Sequence, residues 1–163
     1  MIFLREFAYN REWAVNYARV WAYSRNPKFY DFADIGGDCT NFASQCIYAG
    51  AGVMNYTPET GWFYISANDR TPSWTGVEFL YDFLVNNLSV GPYGSEVPIS
   101  EALPGDIVQL ANAEGDFYHT VVIVSTFPEI TVAAHSRDAL NKPLNSYDFA
   151  FARAIHIDGV RAW

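Results

Sequence analysis

The sequence predicts an α+β fold in which N-terminal helices pack on an antiparallel β-sheet. Helical periodicity is confined to the first half of the chain, and the second half holds short β-type apolar runs joined by brief connections. Between the first helical patterns stands Gly36-Gly37-Asp38-Cys39, a turn that leads into a helix. Helices first and strands second is typical of segregated layers. A chain of 163 residues fits one domain spanning 1–163.

Composition excludes several classes of protein. The formal net charge is −8, which argues against a nucleic-acid partner, because phosphate binding needs a basic surface. No stretch approaches the roughly 20 apolar residues of a membrane span. The opening run Met1 to Leu4 is too short for the core of a signal peptide. We therefore expect no nucleic-acid partner and no transmembrane segment, and an acidic surface that suits a cationic partner.

The first helix is predicted over residues 10–25. Asn10 is a candidate cap and Asn26-Pro27 a stop signal. The apolar stripe of this helix consists of Ala14, Tyr17, Ala18 and Trp21. Its predicted role is packing.

A second helix is predicted to begin at Cys39, with Asp38 as its cap and Gly50 and Gly52 at its end. A thiol at a helix start is favoured as thiolate, which can bring the cysteine pKa from about 8.5 into the range of roughly 3.5–7.5. The inward stripe is Cys39, Phe42, Ala43 and Cys46. Seven helical steps separate the two cysteines by about 10 Å, too far for a disulfide. Cys46 is therefore expected in the core. The alternative interpretation of Cys39 is that it too is only a small, buried apolar residue.

Residues 53–74 are rich in aromatics without a sustained period, which is typical of a long and functional loop. Trp62 and Trp74, together with Tyr118 further along the chain, are candidates for substrate binding. Alternatively, the aromatic side chains of the loop cover the hydrophobic core. Next, Thr75-Gly76-Val77-Glu78 predicts a capping box. The helix it opens has a predicted buried face of Val77, Leu80, Tyr81 and Leu84.

Four strands are predicted in the second half, at 107–110, 118–126, 130–136 and 149–157. The turn at residues 127–129 is short enough for a hairpin. It would bring His119, near the start of the second run, close to His135, at the end of the third. If both imidazoles share one face, the Cys39 helix is the element expected to cover them.

This arrangement predicts nucleophilic catalysis. Cys39 would attack an amide carbon, His119 would act as base and acid, and His135 would orient His119. The helix start at Asp38 and Cys39 would supply the oxyanion hole through the Cys39 backbone N–H, with Asp38 acting only as cap. Asp138 and Asn141 are alternatives for the third role, and His156 is expected to be structural.

Two other interpretations remain open at this point. Cys39, His119 and His135, with Asp38 or Asp138, have the ligand types of a zinc site but lack its common spacings. Alternatively the chain is a catalytically silent module that binds glycan or peptide through its aromatic loop. The leading interpretation needs no metal and no cofactor.

Several motifs together resemble the putative amidase domain family of Gram-positive bacteria. They are Gly37 to Cys46, Trp74, Gly105-Asp106-Ile107-Val108-Gln109, Tyr118-His119-Thr120, Ala134-His135-Ser136 and the opening Tyr9-Asn10-Arg11. That family is similar in layout to papain-like cell-wall hydrolases, including NlpC-like peptidases and CHAP amidases. The resemblance implies a papain-like fold, Cys39, His119 and His135 as catalytic residues, and a thioester intermediate. It also implies a peptidoglycan or peptide substrate, cleaved at the sugar junction or within the stem, and a secreted or cell-wall location.

Overall fold

The computed structural model describes residues 3–163 and shows a mixed α+β architecture, as the sequence predicts. Met1 and Ile2, the start of the short apolar run, lie outside the described residues. Within this range the helices are α1 Arg11–Trp21, α2 Cys39–Ala51, α3 Pro72–Thr75 and α4 Val77–Asn86. The strands are β1 Arg5–Phe7, β2 Tyr64–Ser66, β3 Asp69–Arg70, β4 Gly91–Val97, β5 Ile107–Ala111, β6 Phe117–Ser125, β7 Thr131–Ala134, β8 Ala139–Pro143 and β9 Phe151–Ala162.

One antiparallel sheet organises the molecule. Its strands follow the order β1-β9-β5-β6-β7-β8, and β4 also pairs with the long strand β9. β2 and β3 form a separate small hairpin. The predicted hairpin between β6 and β7 is confirmed, with Val122 opposite Ala133. This pairing fixes which side chains near the predicted site share a face.

The sheet has a helix face and an outer face. Apolar side chains on the helix face join the main core with α1, α2 and α4; they are Ile107, Val122, Val124, Ala133, Ile155, Ile157 and Val160. The outer face carries a second apolar cluster, which contains Val108, Leu110, Val121, Ile123, Val132, Ala134 and Ala154. Residues 99–101 and 144–147 contribute the cover of this second cluster. Successive residues of a strand therefore alternate between two buried environments.

Local capping is predicted correctly for one helix and wrongly for another. Asn10 accepts a hydrogen bond from the Trp13 backbone N–H at 3.0 Å, so the cap of α1 is confirmed. The capping box before α4 is wrong. Gly76 occupies the cap position without a side-chain bond, and Thr75 ends α3 and accepts a hydrogen bond from Arg70. Leu80 and Leu84 do lie on the buried face of α4.

The aromatic segment 53–74 folds onto the core. Trp62 and Trp74 are both 0% exposed, with ring centroids 4.6 Å apart. Their indole N–H groups donate to Ser44 and to Asn41 of α2. Two buried indoles whose polar atoms are satisfied leave no surface for a ligand, so the expectation that they bind substrate is wrong. They hold α2 in place.

None of the helices within residues 3–163 combines the length and the apolar character needed to cross a bilayer.

Candidate active site

Cys39 is the first residue of α2, as the sequence predicts. Gly36 and Gly37 have positive φ angles of 82° and 100°, the left-handed region in which glycine is favoured, and they turn the chain into the helix. Phe42 and Cys46 are fully buried, whereas Cys39 is partly exposed, and neither cysteine is bonded to another. The predicted stripe is therefore confirmed, with the thiol at its accessible end.

Asp38 does not cap α2 through its side chain, contrary to expectation. One carboxylate oxygen accepts hydrogen bonds from the Phe32 backbone N–H at 2.8 Å and from the Asn41 amide at 2.9 Å. The other oxygen lies 2.6 Å from Nδ1 of His135. Both oxygens of the Asp38 carboxylate therefore have partners. The carboxylate holds the loop before Cys39 in place and does not cap the backbone N–H groups of α2.

His135 is a buried structural partner of Asp38. It is 1% exposed, its ring stacks on Phe42 with centroids 4.0 Å apart, and Nε2 lies 2.8 Å from the Trp21 carbonyl oxygen. The guanidinium of Arg25 lies 3.1 Å from the same nitrogen. Both imidazole nitrogens are thus occupied by protein groups, so the structure does not bring His135 to His119 as an orienting residue.

His119 lies on the outer face of the sheet. It pairs with Leu110 of the outer cluster, and its ring centroid is 5.7 Å from that of Tyr147. Its neighbour Thr120 instead faces the helices, with Oγ1 3.0 Å from Oγ1 of Thr40 in α2. The expectation that His119 and His135 share the face covered by α2 is wrong.

Register explains this difference. Val122 pairs with Ala133, so continuing the antiparallel pairing places Thr120, and not His119, opposite His135. Directly opposed residues share a face, and a displacement of one residue places a side chain on the other face. A bulge in β6 between its pairings with Leu110 and Ala111 adds a further irregularity at this end of the strand. Neither the register nor the bulge has a signal in the sequence.

Burial and nearby hydrogen-bond donors shift the pKa of the Cys39 thiol in opposite directions. Burial raises the pKa of the Cys39 thiol, whereas hydrogen bonds from the Thr120 backbone and from the hydroxyl and backbone of Thr40 lower it. The negative charge of Asp38 also raises this pKa. Burial is the largest effect, so the expected low thiol pKa is not what the site produces. The Thr40 hydroxyl oxygen lies 3.7 Å from Sγ.

The remaining predicted residues contact other parts of the protein. Asp138 forms an ion pair with Arg25 at 2.9 Å, and Asn141 accepts a hydrogen bond from Arg19. Tyr118 is 49% exposed, and its hydroxyl donates to the backbone at Asp148. These contacts give neither Asp138 nor Asn141 a place beside a catalytic histidine.

Within residues 3–163 the structure groups no three or more His, Cys, Asp or Glu side chains in a way that could hold a metal ion. His156 contacts the buried carboxylate of Asp106 at 2.8 Å, an ion-pair geometry that ties β9 to the start of β5.

Sequence reasoning missed Thr120 and Gln109, two buried polar residues near the thiol. Gln109 donates to Thr120 Oγ1 at 3.3 Å, and Thr120 contacts Thr40 at 3.0 Å. No signal in the sequence distinguishes them, because both parities of β6 are apolar and both faces of the sheet are buried.

Comparison with known proteins decides the family. Residues 8–157 match the family described as a putative amidase domain. The chain belongs to this family. Over 128 residues it is 36% identical to the uncharacterized protein YhbB of Bacillus subtilis (strain 168), an alignment covering 76% of the chain and 39% of that protein. The chain thus spans about two fifths of the length of this curated relative. No solved structure matches it, so the papain-like layout stays a prediction.

Membership of the putative amidase domain family indicates amide-bond hydrolysis at the level of the family. The name of the curated relative assigns no activity. The nucleophile and the substrate are therefore inferred from the residues around Cys39.

One pH-dependent property follows from His119. Burial, together with the positive charge of Lys142, lowers the pKa of His119 to about 4. Between about pH 6.5, the usual histidine value, and about pH 4, the unfolded chain takes up a proton that the folded chain does not. The free energy of unfolding should therefore fall by up to about 3 kcal/mol as the pH drops through this window. His119→Gln should remove this part of the acid sensitivity.

Urea denaturation of the wild type and of His119→Gln at several pH values checks this expectation. Comparing the two proteins cancels the contribution of the carboxylates, which titrate in the same range. Parallel stability curves for the two proteins would contradict the placement of a neutral, partly buried imidazole at His119.

Proposed function

We propose that this chain is a cysteine-dependent amide hydrolase in which Cys39 is the nucleophile. The observation that carries the proposal is the position of the thiol. Cys39 is the first residue of α2, it is partly exposed, and the Thr40 hydroxyl oxygen lies 3.7 Å from its sulfur. The match to the putative amidase domain family supports the reaction class.

The proposed reaction proceeds in two steps. The Cys39 sulfur attacks the amide carbon, the C–N bond breaks, and the nitrogen leaves as an amine carrying the proton of the thiol. Water then hydrolyses the thioester, which releases a carboxylic acid and restores the thiol. The N–H groups of the first turn of α2 have no intrahelical acceptors. Since Asp38 leaves them uncapped by its side chain, they are suited to stabilise the oxyanion of each step.

The sequence pattern assigns the base to His119, and mutation tests this assignment. On the geometry of the outer face, we expect His119→Gln to retain hydrolysis within about threefold of the wild type. A general base contributes about 100- to 10,000-fold. A loss of activity of that size in folded His119→Gln would contradict this expectation and would indicate that His119 is the general base.

For the substrate class, we propose an amide of peptidoglycan, either at the sugar–peptide junction or between stem-peptide residues. The support is the resemblance of the cysteine and histidine motifs to cell-wall hydrolases. Digestion of purified peptidoglycan, followed by mass spectrometry of the released fragments, tests the proposal. A new amino-sugar end identifies amidase action, and a new peptide amine identifies peptidase action. Intact peptidoglycan after digestion with folded protein would contradict it.

A second candidate is a catalytically silent module that binds cell-wall peptide or glycan. The observation that favours it is the side chain facing α2 from β6, which is the hydroxyl of Thr120 and not an imidazole. Sedimentation with insoluble peptidoglycan separates the two candidates. A silent module would bind without releasing fragments, and Cys39→Ala would bind equally well.

A secreted or cell-wall location follows from this substrate and is proposed with it. Fractionation of cells that express the gene product from its own locus would test the location.

A further inference from the structure

A chain of hydrogen bonds leads from Arg153 on β9 to the sulfur of Cys39. Its intermediate members are Gln109 on β5, Thr120 on β6 and Thr40 on α2. Gln109 and Thr120 are 0% exposed. Buried polar side chains are costly unless their hydrogen bonds are made, so their alignment requires a physical explanation.

The orientation of Gln109 is determined by its partners. The Arg153 guanidinium donates to the Gln109 carbonyl oxygen twice, from Nε at 2.9 Å and from Nη2 at 2.7 Å. A guanidinium only donates, so the amide oxygen must face Arg153 and the amide nitrogen must face the other way. That nitrogen donates to the Val77 carbonyl oxygen at 2.9 Å and to Thr120 Oγ1 at 3.3 Å.

The donor directions of the two threonines follow. Thr120 Oγ1 accepts from Gln109, and its only other hydrogen-bond partner in the described residues is Thr40 Oγ1 at 3.0 Å. A buried hydroxyl needs an acceptor, so the Thr120 O–H donates to Thr40. The Thr40 hydroxyl, which is 1% exposed, then directs its own hydrogen at Cys39 Sγ, 3.7 Å away.

Arg153 is held firmly at the other end of this chain. Its guanidinium carbon lies 3.6 Å from the ring centroid of Tyr81 and 3.8 Å from that of Phe117. Its side chain is 10% exposed, and Glu78 of α4 contacts it at 3.2 Å. Stacking between two rings leaves the guanidinium few alternative positions, so Gln109 has a fixed partner.

We propose that Thr120, Gln109 and Arg153 are positioning residues, which orient the Thr40 hydroxyl as a hydrogen-bond donor to Cys39 Sγ. This inference rests on the proposed role of Cys39 as nucleophile. A thiolate accepts such a bond more strongly than a neutral thiol does, so the chain favours the reactive form of the nucleophile. It acts against the burial that raises the pKa of Cys39.

The charged groups around the thiol are few. Asp38 directly precedes Cys39, and its negative charge disfavours the thiolate. The Asp38 carboxylate is itself contacted by His135, which follows β7, and by Arg25, which follows α1. Other titratable side chains on the surrounding elements are Tyr17 on α1, Arg153 on β9 with Glu78 and Tyr81 of α4, and His119, which faces away from α2. A change at Thr120 alters none of these charges.

The test measures the alkylation rate of Cys39 by iodoacetamide as a function of pH. Mass spectrometry of the peptide that contains Cys39 separates its signal from that of the buried Cys46. Thr120→Val keeps the shape of the side chain and removes the donor. We expect the midpoint of the rate profile to rise, by at most the roughly one pH unit that is typical of losing a hydrogen bond to a charged group, here the bond from Thr40 to the sulfur.

Matched variants separate positioning from general loosening of the fold. Thr120→Ser should restore the wild-type midpoint. Thr131→Val removes a comparable hydroxyl pair, Thr131 with Ser125 at 2.9 Å on β7 and β6, and should leave the midpoint unchanged. Thr40→Val should raise the midpoint, and the Thr40→Val/Thr120→Val double variant should match Thr40→Val alone, because both act through one hydroxyl.

A wild-type midpoint in folded Thr120→Val would overturn the proposal, as would shifts of Thr40→Val and Thr120→Val that simply add. Circular dichroism confirms folding, and Thr120→Ala replaces the valine variant if that one does not fold. The profile requires no turnover, so its outcome is independent of the proposed function. The proposed function is contradicted by a different result, which is hydrolysis of substrate by the Cys39→Ala variant.

Discussion

Cys39→Ala is expected to lower amide hydrolysis by more than about 1,000-fold, because removal of the attacking atom abolishes the covalent step. The variant should remain folded. The thiol lies at the accessible end of its stripe, and the core of α2 is formed by other residues, such as Phe42 and Cys46. Fragment release from the chosen peptidoglycan substrate, measured as initial rate per mole of folded protein, checks the expectation.

Cys46→Ala is the matched control. Cys46 is fully buried in the main core on the same helix, and it has no route to substrate. Its replacement should cost stability without lowering the rate per mole of folded protein. Equal losses of rate in the two variants would indicate damage to α2, and full activity of folded Cys39→Ala would exclude Cys39 as nucleophile.

Asp38→Asn is expected to lower the free energy of unfolding by about 3 kcal/mol, because one partner of a buried pair loses its charge. One carboxylate oxygen of Asp38 accepts hydrogen bonds from Phe32 and Asn41, and the other contacts the imidazole of His135. An asparagine amide keeps only one acceptor oxygen, so one of these donors would face an N–H₂ group. The loop before Cys39 would lose its main attachment. Urea denaturation of the variant and the wild type measures the difference.

Asp138→Asn is the control for that experiment. Asp138 contacts Arg25 at 2.9 Å, but its side chain is 27% exposed, and exposed ion pairs contribute at most about 1 kcal/mol. We expect a small change for this variant. Equal losses for Asp38→Asn and Asp138→Asn would contradict the description of Asp38 as the buried anchor of the loop.

Elements governed by short-range patterns were predictable from the sequence. The cap of α1 at Asn10, the start of α2 at Cys39 and its glycine end at Gly52 follow from local sequence signals. The four predicted strands correspond to β5, β6, β7 and β9, because each carries a run of β-branched or apolar residues.

Features that depend on long-range pairing were not predictable. β4 runs from Gly91 through Pro92 and Gly94, residues that weaken a strand signal, and it exists because β9 pairs with it. β8 carries Asn141 with a positive φ angle of 55°, and the sequence pattern predicts no strand there. In both segments the partner strand supplies what local propensity lacks.

The candidate site shows the same division. The position of Cys39 at a helix start is local and was predicted. The faces of His119 and His135 depend on a register offset of one residue, which the alternation within a single strand cannot supply. Asp38 was predicted to be a cap because an aspartate before a helix usually is one. Its actual partners, Phe32 and His135, come from other parts of the fold.

The central claim is that Cys39 forms a thioester with the acyl part of its substrate. Rapid acid quenching during turnover, followed by intact-mass analysis and peptide mapping, tests it most directly. We predict a mass increase equal to the acyl fragment, located on the peptide that contains Cys39 and absent from Cys39→Ala. Turnover by folded wild-type protein with the adduct on another residue, or hydrolysis by Cys39→Ala at the wild-type rate, would contradict the claim.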